Sequence, residues 1–238
     1  MKKITTMALL SITTVGMIAC SKAIMGEGPV VAQNRPITSF MGIDLLINAD
    51  VYYQAGDNLN LEVTGQQNIL DNIETTVTEG NLVIQSSNGR SFTADENIRI
   101  NITTPEINRF LINSSGSIYC LSDIQTSKLL LSNSGSGTIS LKDVTAKNIE
   151  ATNTSSGNII ALDGTAVSET AGNSGTGKID LSGILTRRAT VRTSGSGKIQ
   201  VKVADHLYAT IEDGGPVYYS GYPDVSSHIS GTGHLVHF

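Results

Sequence analysis

Apolar positions recur at a fixed step through the second half of the chain. Isoleucines stand at 118, 139, 159, 179 and 199, at steps of 21, 20, 20 and 20 residues. Each follows a short glycine phrase: Ser114-Ser115-Gly116-Ser117-Ile118, Ser136-Gly137-Thr138-Ile139, Ser156-Gly157-Asn158-Ile159, Thr176-Gly177-Lys178-Ile179 and Ser196-Gly197-Lys198-Ile199. Alignment on those glycines produces further columns. Two residues past the isoleucines stand Cys120, Leu141, Ala161, Leu181 and Val201; six before the glycines stand Phe110, Leu131, Ala151, Ala171 and Val191. A polar column, Asn133, Asn153, Asn173 and Thr193, falls four residues before the last four glycines. Self-similarity at such a period marks stacked repeats, in which no single unit buries its apolar side alone.

Twenty residues are too few for a coil that includes a sizeable helix. The pattern therefore predicts an all-β fold, a parallel β-helix (solenoid) of roughly 20-residue coils, right-handed by the chirality of parallel crossovers. Like positions would stack at the ~4.8 Å strand spacing, and burial of each Ile would contribute ~1.5–3 kcal/mol before ordering entropy is subtracted. The Asn column predicts an amide ladder along one corner, and the glycine phrase supplies the tight bend.

Before this region, alternation has period two: Ile43, Leu45, Ile47, Ala49 and Val51, then Leu59, Leu61 and Val63, then Leu82 and Ile84, then Ile98, Ile100 and Ile102. These are strands with one buried face, separated by turn signals such as Ala55-Gly56-Asp57-Asn58 and Glu79-Gly80-Asn81. Apolar clusters at Leu45, Val63, Ile84 and Ile102 suggest that the coil period runs on here without the glycine phrase, while Asp71-Asn72-Ile73 suggests a short helical turn. At the other end Gly215 and Gly233 follow Gly197 at steps of 18, with Val217 and Leu235 continuing the isoleucine column. The expected organisation is a single β-helical domain over 36–238, with irregular coils over 36–105 and regular coils plus a C-terminal cap over 106–238.

Composition agrees with a β-rich, turn-rich fold: 24 glycines, 5% aromatic and 16% charged residues, with no Trp. The net charge of −5 and the lack of a basic patch argue against a nucleic-acid partner. Lys2 and Lys3 precede an apolar run from Ile4 to Ala19 that ends in Met17-Ile18-Ala19-Cys20. This is a secretory signal, and its end resembles a bacterial lipoprotein box. The expectation is a signal peptide over 1–19, lipidation of Cys20, and a tether over 20–35 that holds Gly26-Glu27-Gly28-Pro29 and few periodic apolar residues. The membrane would then be a partner through the acyl chains of the lipid anchor, and the chain an exported protein of the cell envelope. Its placement, on the outer membrane with a periplasmic or a surface face, stays open. Cys120, left without an intrachain partner, reads as a small buried hydrophobe.

One succession of motifs resembles a known family. Arg35-x-Ile37-x-x-Phe40-x-x-Ile43 is followed by Asp50-Val51-Tyr52-Tyr53-Gln54-Ala55-Gly56, then by Leu59-x-Leu61-x-Val63. The Ser-Gly coils come next, and Gly215-x-Val217-Tyr218-Tyr219-x-Gly221-x-Pro223 follows them. Together they are similar to the auto-transporter adhesin family with the head GIN domain, found in Bacteroides and its relatives. The resemblance spans roughly Gly28 to Phe238 and implies a right-handed β-helix on an exported lipoprotein with a role in adhesion. It brings no catalytic motif. The histidines His228, His234 and His237 in the tail depart from it.

The candidate chemistry is sparse. Asp123, Asp143 and Asp163 share a column that would either hold a cation such as calcium or make turn hydrogen bonds, the reading favoured here. His234-x-x-His237 would lie on opposite faces of a strand, so no metal site is expected, and no cofactor. Asp205-His206 lacks a nucleophile partner. The candidate binding surface is Tyr218, Tyr219 and Tyr222, with Arg187 and Arg192 as a basic edge that would either touch an anionic glycan or, the reading favoured, stay solvated. The tyrosines also suit a second role, closing the open end of the stack. The functional expectation is a non-enzymatic adhesin or binding module for a glycan or protein ligand. A polysaccharide lyase or hydrolase on the same scaffold, and a structural or signalling envelope component, are the alternatives.

Overall fold

The computed structural model describes residues 23–93 and 96–238. The expected signal peptide, Cys20 and the first residues of the expected tether lie outside the described residues. What is described is built almost wholly of strands, with one four-residue helical turn, Gln67–Leu70, just ahead of the expected turn at 71–73.

The long strands Ser117–Asn133, Thr138–Asn153 and Ile179–Thr193 each make most of a coil. Neighbouring coils pair in parallel. Ser117–Asn133 matches Thr138–Asn153 in three runs, 118–120, 123–126 and 128–133, and the pairing breaks where the chain bends. The isoleucine column is real: Ile118, Ile139, Ile159, Ile179 and Ile199 are consecutive register partners, followed by Val217 and Leu235. All but Leu235 are fully buried. Cys120 is buried in register with Leu141, as a small hydrophobe would be. Its thiol donates to the Ser122 carbonyl at 3.1 Å.

The corner differs from the expected amide ladder. Asn133 Nδ2 donates to the Gly137 carbonyl at 2.8 Å, and Asn133 Oδ1 accepts from the Gly135 amide at 3.0 Å. Asn173 repeats the arrangement with Gly177 and Gly175 at 2.8 and 3.1 Å. Each amide thus ties the bend of its own coil, and its Nδ2 also reaches the next coil, at the Asn158 and Lys198 carbonyls (3.2 and 3.3 Å). The bend exposes backbone groups that no strand partner reaches, and a buried Asn satisfies them as a turn side chain does. Glycine is required at this bend by close approach, since a Cβ on Gly177 would stand 1.8 Å from the Gly157 carbonyl oxygen.

The N-terminal third corrects the expected succession of coils. Strand Gly42–Leu45 lies between Asn81–Ser86 and Arg109–Ile112, and Asp50–Ala55 lies between Arg99–Thr104 and Ser117–Asn133. Leu45 therefore pairs with Ile84, and Ile102 faces Tyr53 and Leu61. Antiparallel pairs close this end: Asn60–Gln66 with Arg99–Thr104, and Ile73–Thr78 with Asn81–Ser86. The second pair turns at Glu79 and Gly80, both at positive φ (51° and 77°), which is the geometry of a two-residue hairpin.

Part of the expected tether belongs to this end as well. Ile24–Met25 pairs with Phe92–Thr93, and Val30–Asn34 runs antiparallel to Asn60–Gln66. Arg35 donates to the Leu70 and Ile73 carbonyls at 2.7 and 2.5 Å. Val30 and Val31 supply the β-branched residues that let this Gly- and Pro-flanked stretch pair.

Candidate functional site

The tyrosines of the C-terminal end take three different positions. Tyr218 faces outward in register with Gln200, its ring edge-on to Phe238 with centroids 6.4 Å apart. Tyr219 continues the inner column below Val201 and is half-buried, its ring 5.0 Å from that of His237. Tyr222 is 93% exposed, with its ring 5.7 Å from His237. His237 Nε2 lies 2.8 Å from the Gly221 carbonyl, so this nitrogen carries the proton and donates. Gly221 itself sits at φ 93°, a conformation that favours glycine. Tyr219, Tyr222, Pro223 and His237 border a shallow hollow of ≈ 330 Å³. Of the two roles expected for these tyrosines, Tyr219 has the position of a cap and Tyr222 that of a platform.

Arg187 and Arg192 lie on another leg of the coil. Arg187 Nε is 2.8 Å from Asp205 and Arg192 Nη2 is 2.8 Å from Glu212. Both arginines are about two-thirds exposed, so these pairs contribute little to stability. The chain bends through the glycine corner at 194–198 between Arg192 and the leg that carries Tyr218. Arg192 and Tyr218 therefore stand on different legs, whereas Arg187 bonds Asp205, next to the His206 that pairs with Asp224, so its stack leads towards the turn that carries Tyr222.

The aspartate column is occupied by local bonds. Asp123 and Asp143 are register partners, but Asp123 pairs with Lys142 at 2.9 Å, and Asp163 accepts from the Gly164 amide at 2.8 Å. Among the described residues, no three His, Cys, Asp or Glu side chains converge as metal ligands would. Burial raises the Cys120 thiol to about 12, so it is protonated and inert at neutral pH.

One aromatic feature is not apparent in the sequence. Tyr52 and Tyr119 stack at 5.2 Å and 21°, and the Arg99 guanidinium lies over the Tyr52 ring at 4.3 Å. Its neighbour Tyr53 points inward, fully buried, edge-on to Phe110. The stack depends on the strand 50–55 lying against 117–120, a pairing across more than sixty residues of chain. Period-two alternation alone would separate Tyr52 from Tyr53, but nothing local pairs Tyr52 with Tyr119.

The family model described as "Putative auto-transporter adhesin, head GIN domain" matches residues 39–223. The chain belongs to this family. Several solved structures from Bacteroidales are similar to this head GIN chain. A "putative adhesin" of Bacteroides fragilis superposes with a TM-score of 0.85 at 20% identity, over 91% of this chain and 100% of that one. A putative adhesin of Parabacteroides distasonis gives 0.70 at 20% identity, and a "putative lipid binding protein" of the same species gives 0.64 at 23%, with the same coverage. At these identities the likeness establishes the β-solenoid fold. No curated protein matches the chain. Adhesin-family membership suggests an extracellular or envelope setting. Among the described residues, no helix is long and apolar enough to cross a membrane.

Proposed function

We propose that this protein is a non-enzymatic lipoprotein of the cell envelope, held to a membrane through acyl chains on Cys20 and acting as an adhesin. Family membership over 39–223 supports the adhesive role, and the Lys2-Lys3 start, the apolar run and Cys20 support the anchor. The observation that carries the reading is Tyr222. A tyrosine exposed to 93% beside Pro223 and His237, on the end of a rigid sheet, is a contact platform rather than a core residue. Aromatic rings of this kind give large contact area at low entropic cost, for a glycan face or a protein surface. Tyr218 extends the outward aromatic area, while Arg187 and Arg192 add charge on the same coils.

The test expresses the full chain in a host that processes lipoproteins. Palmitate labelling and membrane fractionation should both be lost in Cys20→Ala. Cells displaying the protein should be retained on immobilised glycans or matrix proteins, and Tyr222→Ala should reduce that retention. Release of soluble product from a polyuronide panel would overturn the non-enzymatic reading.

A further inference from the structure

The first glycine corner of the regular coils borders a hollow whose far wall comes from the N-terminal end of the stack. Residues 113–115 stack directly on 46–48: the Asn113 amide donates to the Leu45 carbonyl and the Ser117 amide to the Ala49 carbonyl, both at 3.0 Å. Facing them is the segment 85–92, which is pinned from outside because Ile24 donates to the Ser91 carbonyl at 2.9 Å and Ile24–Met25 pairs with Phe92–Thr93. Between these walls is a hollow of ≈ 540 Å³. That lies within the roughly 300–1,000 Å³ typical of small-molecule sites.

Its lining has a definite chemistry. Asn48, Ser91 and Ser115 border the hollow, and their side chains make no hydrogen bond to a described residue. An amide and two hydroxyls thus supply both donors and acceptors from three separate segments. Leu46 and Phe92 add apolar surface beside them. Arg90 is the one charged residue of the lining. Carboxylates stand close by: Glu74 accepts from Gln85 Nε2 at 3.1 Å, and Glu96 borders an adjoining niche with Asn48 and Phe92. One guanidinium among neutral groups, with carboxylates next to the lining residues, leaves hydrogen bonding as the main chemistry of the hollow.

We propose that this hollow is a binding site for a neutral saccharide, a hexose or N-acetylhexosamine unit at the end of a glycan. Mixed donors and acceptors match vicinal hydroxyls, and the Phe92 and Leu46 surfaces match the C–H face of a pyranose ring. The proposal rests on the binding-protein reading above and names its ligand class and a site remote from Tyr222.

The experiment titrates the full chain by calorimetry with neutral oligosaccharides of glucose, galactose, mannose and N-acetylglucosamine, beside polygalacturonate. At least one neutral saccharide should bind saturably. Asn48→Ala should weaken it about tenfold, roughly 1.4 kcal/mol, and Ser115→Trp, placed to fill the hollow from an exposed position, should abolish it. Both variants should unfold at the wild-type temperature. The proposal is overturned if no neutral saccharide binds, if the Ser115→Trp isotherm is unaltered, or if polygalacturonate is preferred. A wild-type chain that gives no saccharide isotherm while its cells still adhere would sink this site and leave the adhesin reading standing.

Discussion

Glu169 stands in register with Ile149, inside a column that is otherwise apolar: Leu129, Ile149, Glu169, Ala189, Leu207. It is 2% exposed, and neither carboxyl oxygen has a hydrogen-bond partner among the described residues. Burial without a compensating charge holds its carboxyl well above the usual range. The small neighbours Ala171 and Ala189 leave room for a long side chain, so the methylenes of Glu169 fill space that an Ile fills one coil earlier.

A folded-state pKa raised above the unfolded value, near 4.3, means that the folded chain holds this proton more tightly. The stability it contributes is complete below that unfolded value and is lost as pH rises towards the folded one. Denaturant unfolding from pH 4 to pH 8 should show wild-type stability falling relative to Glu169→Leu across that window. At pH 7 Glu169→Leu should be more stable by about 1–3 kcal/mol. A pH-independent difference between the two would contradict this account.

The corner predicts a graded series. Asn173→Ala removes two donated bonds and one accepted bond at a buried bend, and should cost about 1–3 kcal/mol. Thr193→Ala, at the same place one coil later, removes a single bond of 3.4 Å and should cost less. Chemical denaturation of the two variants gives the order directly.

Two glycines should respond in opposite directions. Gly177→Ala forces a Cβ to 1.8 Å from a backbone oxygen and should destabilise by about 1–3 kcal/mol or more. Gly172 lies in mid-strand with nothing within 4 Å of a built Cβ, between Thr152 and Arg192. Gly172→Ala should therefore stabilise by about 0.5–1 kcal/mol. Thermal unfolding of the pair checks both signs.

Cys120 should resist alkylation. Its thiol is buried and pushed to about 12, so iodoacetamide at pH 8 should leave Cys120 unmodified in the native chain and label it only after unfolding. Labelling of Cys120 in the folded chain at the rate of a free thiol would contradict the packing described.

The coil stack was legible because its information is local and repeated. Ile118 to Ile199 announce both their inward direction and their partners, since a fixed period sets which residue lies against which. Val51 and Ile100 announce only direction. They join the same column, in the order Ile100, Val51, Ile118, but period-two alternation carries no partner information, and the hairpin at Glu79-Gly80 reroutes the chain. The same gap hid the Tyr52–Tyr119 stack and the hollow between 46–48, 85–92 and 113–115. The Asn column was visible as a column; its bonding to the bend depended on backbone geometry that residue types do not specify.

The most direct test of the adhesin account is retention of cells displaying the full chain on a surface of immobilised glycans and matrix proteins, compared with cells that lack it. The account predicts saturable retention that soluble protein competes away, with the immobilised material chemically unchanged afterwards. Retention equal to that of cells without the protein, or depolymerised glycan in the wash, would contradict it.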